Sequence, residues 1–192
     1  MNKILVLAGP SAVGKTTVMK QLIGENPRFD FIRSATTRAP RGDGYDSEYI
    51  YLSKDEFCAR IENGGVLEYT EYGGNFYGTP SSEIERIFES GKIPMLILDI
   101  NGVKSLKSVP RSFKVVAVYI TADAEVLDSR LYDRFVAAGK TEAAYKIYET
   151  RKERNRTELA SLSRLTDVFD AFIENTTPAE TAKRILSLFN SL

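Results

Sequence analysis

The stretch that decides the fold reads Gly9-Pro10-Ser11-Ala12-Val13-Gly14-Lys15-Thr16 and fits the pattern G-x-x-x-x-G-K-S/T without exception. The apolar run Ile4–Ala8 precedes it, and apolar residues recur at helical spacing over 18–23. A buried strand, a glycine-rich turn and a helix are the context in which such a loop holds the phosphates of a nucleoside triphosphate. We therefore predict a nucleotide-binding loop at residues 9–16, called the phosphate loop below.

Each part of the phosphate loop has a physical task. Its glycines let the backbone turn tightly, so that successive N–H groups point at phosphate oxygens, and the following helix adds its positive end. Lys15 would supply a positive charge to the β- and γ-phosphates, and the Thr16 hydroxyl would ligate Mg²⁺. The residues predicted to contact the triphosphate are Gly9, Ser11, Ala12, Val13, Gly14, Lys15, Thr16 and Thr17.

Outward from the phosphate loop, apolar strands alternate with helical patterns. Further core strands are predicted at 94–99, 113–120 and 168–173, and a last helix begins with the capping box Thr177-Pro178-Ala179-Glu180. Strands that are separated by helices require right-handed crossovers and a parallel sheet. These patterns place the chain in the α/β class.

The segment 35–85 departs from this alternation. Short strands are predicted at 49–52 and 66–69, and the helix between them begins with the capping box Ser53-Lys54-Asp55-Glu56. Gly73-Gly74-Asn75 predicts a turn between two further short strands. We expect a small α+β insert in this part of the chain.

Composition excludes several classes of function. The 192 residues contain 26 basic and 26 acidic side chains, which argues against a nucleic-acid or polybasic membrane partner. The chain has no histidine and a single cysteine, Cys58, which excludes His-ligated zinc sites, Ser-His-Asp triads and internal disulfides. No apolar run approaches the ~20 residues of a membrane span, and we expect a cytoplasmic protein.

Charge is distributed unevenly along the chain. Residues 42–90 hold 11 acids and 3 bases, whereas residues 130–156 hold 8 bases and 4 acids. A solvated surface is the ordinary explanation of such runs, and neither run is by itself evidence for a binding site.

A second candidate site begins at the stretch 33–41, which carries three arginines and no acid. Arginine forks suit phosphate oxygens. Downstream, Glu68 ends a predicted strand and Tyr77-Gly78-Thr79-Pro80 follows a turn. Guanine presents two adjacent N–H donors and a carbonyl on one edge, so that a carboxylate can accept both donors while hydroxyl groups serve the rest.

Together these motifs resemble those of the guanylate kinase family. The resemblance is carried by GPSAVGKTT, SATTRAPR, EYIY, LEYTE, GNFYGT and LILDINGV. It implies a P-loop kinase fold, with a five-stranded parallel sheet flanked by helices, a small α+β GMP-binding insert and a helical lid. The implied core spans residues 1–34, 86–122 and 158–192, the insert spans 35–85, and the lid spans 123–157.

The resemblance also implies particular site residues. Ligands of the GMP phosphate would be Arg38, Arg41, Tyr49 and Tyr77. Guanine would be read by Ser34, Glu68 and Thr79, together with Asp99 and Asn101. The implied catalytic residues are Lys15, Arg38 and the lid arginines Arg130, Arg134 and Arg151. Asn175, at the end of the last strand, would contact the adenine region of ATP.

The implied activity is phosphorylation of GMP, and of dGMP, by in-line transfer from MgATP with domain closure. Asn101 stands where the family usually has a second carboxylate, which leaves a kinase for another nucleoside monophosphate or small phosphorylated substrate as an alternative. A non-catalytic, protein-binding relative is the other alternative, against which Lys15 and the lid arginines argue. The sequence leaves the oligomeric state open.

Overall fold

The long apolar runs form a five-stranded parallel sheet in a computed structural model that describes residues 2–40, 42, 46–137 and 139–192. Across the sheet the strands are β2 (Phe29–Phe31), β7 (Ile93–Ile97), β1 (Asn2–Ala8), β8 (Phe113–Thr121) and β9 (Ala171–Glu174). β1 is buried from Ile4 to Ala8, as a strand covered on both faces must be. The predicted α/β class and the P-loop kinase fold are confirmed.

Several helices start where the sequence provides a capping side chain. The helices are α1 (Lys15–Glu25), α2 (Lys54–Glu62), α3 (Ser81–Glu89), α4 (Ile100–Ser108), α5 (Ala124–Tyr132), α6 (Glu142–Ala160) and α7 (Pro178–Ser191). The predicted capping box of Ser53 and Glu56 is formed at α2, and the Thr177 hydroxyl accepts the Glu180 N–H at α7. In the part of the chain that is described, no helix is long and apolar enough to span a bilayer.

By its contacts the chain divides into two compact units. The first unit comprises Met1–Val6 and Asn26–Val115, and the second comprises Leu7–Glu25 and Val116–Leu192. The predicted insert lies in the first unit, while the phosphate loop and the predicted lid both lie in the second. The finer division into core, insert and lid stays a prediction.

In the first unit, a small sheet forms the predicted insert. Its strand order is β4 (Tyr49–Tyr51), β3 (Ser34–Thr36), β6 (Asn75–Pro80) and β5 (Val66–Tyr72). The hairpin of β5 and β6 turns at Gly73 and Gly74, whose φ angles of 59° and 74° are those of a left-handed two-residue turn. Phe57 of α2 packs against Ala35 and Val66 and covers this sheet.

The boundaries of some strands differ from the sequence prediction. β2 and β3 each contain three residues, which is too short for a periodic signal, and the apolar pattern did not reveal them. The last strand of the large sheet begins at Ala171 rather than at residue 168. Asp170 ends the preceding turn, because its carboxylate accepts the Ala117 N–H while its own N–H donates to the Ala117 carbonyl.

Candidate active site

Two glycines give the phosphate loop its backbone path. Gly9 has a φ of +146°, and a Cβ there would lie 2.3 Å from the Ile120 carbonyl oxygen. Gly14 has a φ of +100°, and its Cβ would lie 2.6 Å from Nδ2 of Asn175. A side chain at either position would therefore clash and strain the backbone. The glycines of the motif are required by the close approach of β8 and of Asn175.

Asn175 is buried and holds the phosphate loop from within the second unit. Its Nδ2 donates to the Val13 carbonyl at 2.7 Å, and its Oδ1 accepts the Thr181 hydroxyl at 2.9 Å. Both ends of the amide are thus used by the protein. The structure gives Asn175 a supporting role for the loop, and the adenine contact implied by the family resemblance stays a prediction.

Lys15 folds back over the loop that carries it. Its ammonium group donates to the carbonyl oxygens of Gly9, at 2.6 Å, and Pro10, at 2.9 Å. Two neutral carbonyl groups are weaker partners for an ammonium ion than a phosphate would be. The lysine is therefore positioned to transfer its hydrogen bonds to an anion that enters the loop.

The surroundings of Lys15 disfavour its charge. The pKa of Lys15 is lowered to about 8, mainly by burial, although the Glu158 carboxylate acts in the opposite direction. The positive charges of Arg134, Arg151 and Arg154 contribute to this lowering. Several cations around one carboxylate make the surroundings of Lys15 favourable for an anion.

Two of the three predicted lid arginines contact the phosphate loop, and the third, Arg134, lies near enough to Lys15 to lower the pKa of that lysine. Arg130 approaches the Val13 carbonyl at 3.4 Å, and Arg151 donates to the Ser11 hydroxyl at 3.2 Å. The guanidinium carbons of Arg134 and Arg151 both lie 5.4 Å from the centre of the Phe135 ring. The structure thus brings together the arginines that the sequence could only place along the chain.

Sequence reasoning missed three groups at the loop. Arg154 contributes positive charge near Lys15, and Glu158 contributes the opposing negative charge. The Tyr119 hydroxyl donates to Glu158 at 2.6 Å, and burial together with this hydrogen bond raises the pKa of that tyrosine far above its usual range. Asn155 contacts the backbone of Ser11. Arg154, Asn155 and Glu158 all come from α6, far from the loop in the sequence, so the local pattern carries no signal for them.

In the first unit, Glu68 and Asp99 lie on either side of Gly102. A Cβ built on Gly102 would lie 3.1 Å from Oε2 of Glu68 and 3.4 Å from Oδ1 of Asp99. Glu68 is buried on β5 and accepts the Thr79 hydroxyl at 2.6 Å, while Asp99 caps α4 and accepts the Gly102 N–H at 2.8 Å. Two carboxylates and a hydroxyl therefore lie close together in the first unit, and they offer several acceptor oxygens to a ligand that carries N–H donors.

Asp99, rather than Asn101, provides the second carboxylate beside Glu68. Asn101 is exposed in the first turn of α4, and its assignment as a GMP ligand stays a prediction. Burial raises the pKa of Glu68, the Asp99 charge raises it further, and the hydrogen bond with Thr79 acts against both. The ionised form of Glu68 is therefore destabilised in the free protein, and hydrogen-bond donors of a ligand would stabilise it.

Arg38 lies among tyrosines at the other end of the small sheet. Its guanidinium carbon is 5.3 Å from the ring centre of Tyr49 and 6.0 Å from that of Tyr51. Tyr49 and Tyr77 are in edge-to-face contact, with ring centres 6.4 Å apart. The structure thus groups three of the predicted phosphate ligands, while the fourth, Arg41, lies outside the described residues.

Ser34 and Arg33, at the start of the arginine-rich segment, have different surroundings. Ser34 is half-buried on β3, where it pairs with Tyr49 of β4. Arg33 instead forms a two-pronged ion pair with Glu83 of α3, with nitrogen–oxygen distances of 2.7 and 3.1 Å. Burial acts to raise the pKa of Glu83, but the hydrogen bonds from Arg33 and Arg86 lower it to about 2. Arg33 therefore stabilises the fold.

The strand–loop–helix unit, its lysine and its arginines define a P-loop phosphotransferase. A family model for guanylate kinase matches residues 1–192, and the chain belongs to the guanylate kinase family. Membership in this family makes the chain an ATP-dependent nucleotide kinase.

Individual relatives agree with this assignment. The chain is 32% identical over 193 residues to guanylate kinase of Prochlorococcus marinus subsp. pastoris, which covers 100% of this chain and 98% of the relative. Its structure is similar to that of guanylate kinase from Anaplasma phagocytophilum, with a TM-score of 0.69, 26% identity and coverage of 99% and 85% of the two chains. A shikimate kinase from Acinetobacter baumannii is 18% identical, with a TM-score of 0.50, and the match covers 100% of this chain and 94% of the shikimate kinase. This similarity shows the fold alone.

Proposed function

We propose that this chain transfers the γ-phosphoryl group of ATP to GMP, giving ADP and GDP. The observation that carries the proposal is the pairing, in one chain, of two kinds of site. One is a lysine-bearing phosphate loop with three arginines at it, and the other is a convergent pair of carboxylates beside a buried hydroxyl. The first suits a triphosphate, and the second suits a guanine base.

On the ATP side, the residues act on charge. Negative charge on the transferred group and on the leaving ADP must be neutralised, and cations that are held in place before the reaction do this most effectively. Lys15 would move its hydrogen bonds from the loop carbonyls to the β- and γ-phosphates. Arg130, Arg134 and Arg151 would then complete the neutralisation around the γ-phosphoryl group.

Mg²⁺ would enter with the ATP phosphates. Thr16 has an exposed hydroxyl in the first turn of α1, directly after Lys15, and a hydroxyl oxygen is of the hard type that Mg²⁺ prefers. A single protein ligand is sufficient, since Mg²⁺ usually keeps waters and phosphate oxygens as its other ligands. When bound, the ion would reduce the negative charge that the loop has to balance.

On the GMP side, the residues hold and read the acceptor. Glu68 would accept the two adjacent N–H donors of guanine, Thr79 and Ser34 would serve its other polar atoms, and Asp99 would add a second carboxylate. Arg38 and Arg41, with Tyr49 and Tyr77, would hold the phosphate. The nucleophile is a phosphate oxygen that is already anionic near neutral pH, so no strong general base is needed and the absence of histidine is no obstacle.

Closure around both nucleotides would exclude water from the γ-phosphoryl group. We further propose that dGMP is a second acceptor, because every proposed GMP contact is to the base or the phosphate. A cytoplasmic location stays a prediction from composition.

The test is a direct product assay. Purified protein with MgATP is offered GMP, dGMP, IMP, AMP, CMP or UMP in turn, and both products are separated and quantified. We expect ADP and GDP to form in equal amounts with GMP, a lower rate with dGMP, and little product with the others. Preferred turnover of another monophosphate would replace the substrate assignment, and GMP binding without any ADP would favour the non-catalytic alternative.

A further inference from the structure

Asn155 of α6 makes a two-bond contact with the phosphate loop. Its side chain is 5% exposed, its Oδ1 accepts the Ser11 N–H at 2.8 Å, and its Nδ2 donates to the Ser11 carbonyl at 3.0 Å. A carboxamide that meets both polar groups of one residue fixes the position and the orientation of that residue. Ser11 is therefore held from outside the loop, by a residue 144 positions away in the sequence.

The next residue shows why this support matters. Ala12 has a φ of 65°, in the left-handed region that non-glycine residues rarely adopt. Such a conformation is strained, and it persists only where the surrounding structure enforces it. The two hydrogen bonds between Asn155 and Ser11 fix the backbone directly before Ala12 and so support this conformation.

Asn155 also sets the position of a predicted catalytic arginine. Arg151 lies one helical turn earlier on the same face of α6, and it donates to the hydroxyl of Ser11, the residue that Asn155 holds. Glu158 follows on this face and is bonded to Tyr119 of β8. Three side chains of one helix face thus fix α6 relative to the loop within the second unit.

We propose that Asn155 is a positioning residue that holds the phosphate loop in its nucleotide-binding conformation and sets Arg151 against it. The proposal rests on the proposed use of ATP. If the loop is competent for only a fraction of the time, the apparent Kd for nucleotide rises in inverse proportion to that fraction. Loss of Asn155 should therefore weaken MgATP binding, leave GMP binding intact and reduce kcat.

The experiment measures the Kd of MgATP by titration calorimetry, without GMP, so that no transfer occurs. Asn155→Leu keeps the branched shape and removes both hydrogen bonds, while Asn155→Ala also removes the packing. Glu153→Ala is the matched control, because Glu153 is exposed on the same helix and its carboxylate forms an ion pair with Arg156, away from the phosphate loop. We expect the Kd to rise about tenfold in both Asn155 variants and to stay unchanged in the control.

Two outcomes would overturn the proposal. A folded Asn155→Leu protein with the Kd of the wild type would show that Asn155 only supports stability. Tighter MgATP binding would show that Asn155 competes with phosphate for the Ser11 N–H. If Asn155→Ala does not fold, Asn155→Leu decides alone, since its helix and packing are kept.

A double-mutant cycle separates positioning from structure. Ser11→Ala removes the hydroxyl that Arg151 contacts, and we expect it to lower kcat in the wild type but to have a smaller effect in the Asn155→Leu background. Additive effects of the two substitutions would contradict the link through Ser11. The main readout is MgATP binding and not phosphoryl transfer. A wild-type protein that binds MgATP without phosphorylating GMP would therefore contradict the proposed function but not the role of Asn155.

Discussion

The phosphate loop and the proposed guanine site are built in opposite ways. The loop takes its glycines, its lysine and its proposed Mg²⁺ ligand from the consecutive residues 9–16. Glu68, Thr79 and Asp99 come from β5, from β6 and from the residue before α4, and strand pairing and the small size of Gly102 bring them together. The charges differ as well, since the loop is surrounded by cations and the base site is formed by acids.

This difference predicts how each region responds to change. A site that acts by preorganised charge on the moving group should lose rate when a charge is removed. A site that holds and reads an acceptor should lose affinity and selectivity instead. The substitutions below test whether the two regions separate in this way.

The largest effect is expected for Lys15→Ala. Removing the charge that acts on the β- and γ-phosphates should lower kcat by at least about 10²-fold. Stability should change little, because burial already disfavours the charged side chain, as its lowered pKa indicates. Steady-state kinetics and thermal denaturation measure the two quantities, with Lys20→Ala on the same helix as the control. Retention of wild-type kcat would remove Lys15 from the catalytic group.

Glu68→Gln should have the next largest effect, and it should fall on selectivity. The amide offers only one oxygen acceptor and presents donors to the guanine donors, so kcat/KM for GMP should fall about 10²-fold. IMP lacks the exocyclic amino group, and the preference for GMP over IMP should narrow. Glu71→Gln, exposed on the same strand, is the matched control. An unchanged GMP-to-IMP ratio would contradict the assignment of Glu68 as a base reader.

Arg38→Ala should mainly raise the KM for GMP, by about tenfold, with a smaller change in kcat. A guanidinium that holds the acceptor phosphate contributes to binding in the ground state and in the transition state alike. Arg33→Ala is the contrasting variant, because Arg33 forms an ion pair with Glu83. Its loss should lower the stability of the protein without changing the KM for GMP. Equal effects of the two arginines on KM would refute the distinction that the structure makes between them.

The smallest effect concerns pH and separates the two regions again. Lys15 is charged below its pKa of about 8, so kcat/KM for MgATP should decline as the pH rises through that value. At saturating MgATP the decline should shift to higher pH, because bound phosphate favours the ammonium form. On the acid side, kcat/KM for GMP should fall as Glu68 gains a proton, at a pH above that of an ordinary glutamate. A profile for MgATP that stays flat to pH 9.5 would count against the Lys15 assignment.

Much of the fold and of the candidate site could be predicted from the sequence. The features that could not be predicted all depend on contacts between distant residues or on strands that are too short to show a pattern. Apolar runs and capping boxes predicted the main strands and several helix starts, because those signals lie within a few neighbouring residues. Strands of three residues, such as β2 and β3, are too short to carry a period. The start of β9 at Ala171 depends on the contacts of Asp170 with Ala117, which no local pattern contains.

The α/β class, the phosphate loop with Lys15, the family and the candidate nucleotide-binding residues follow from the amino-acid pattern alone. Which of several similar side chains meet is a property of the folded chain. In the structure, Asp99 lies near Glu68, Arg33 forms an ion pair with Glu83, and Asn155 is hydrogen-bonded to Ser11. The physical reason is the range of the interactions. A tight turn or a helix cap is fixed by consecutive residues, whereas a contact between residues far apart in the chain depends on strand register and on how the helices pack.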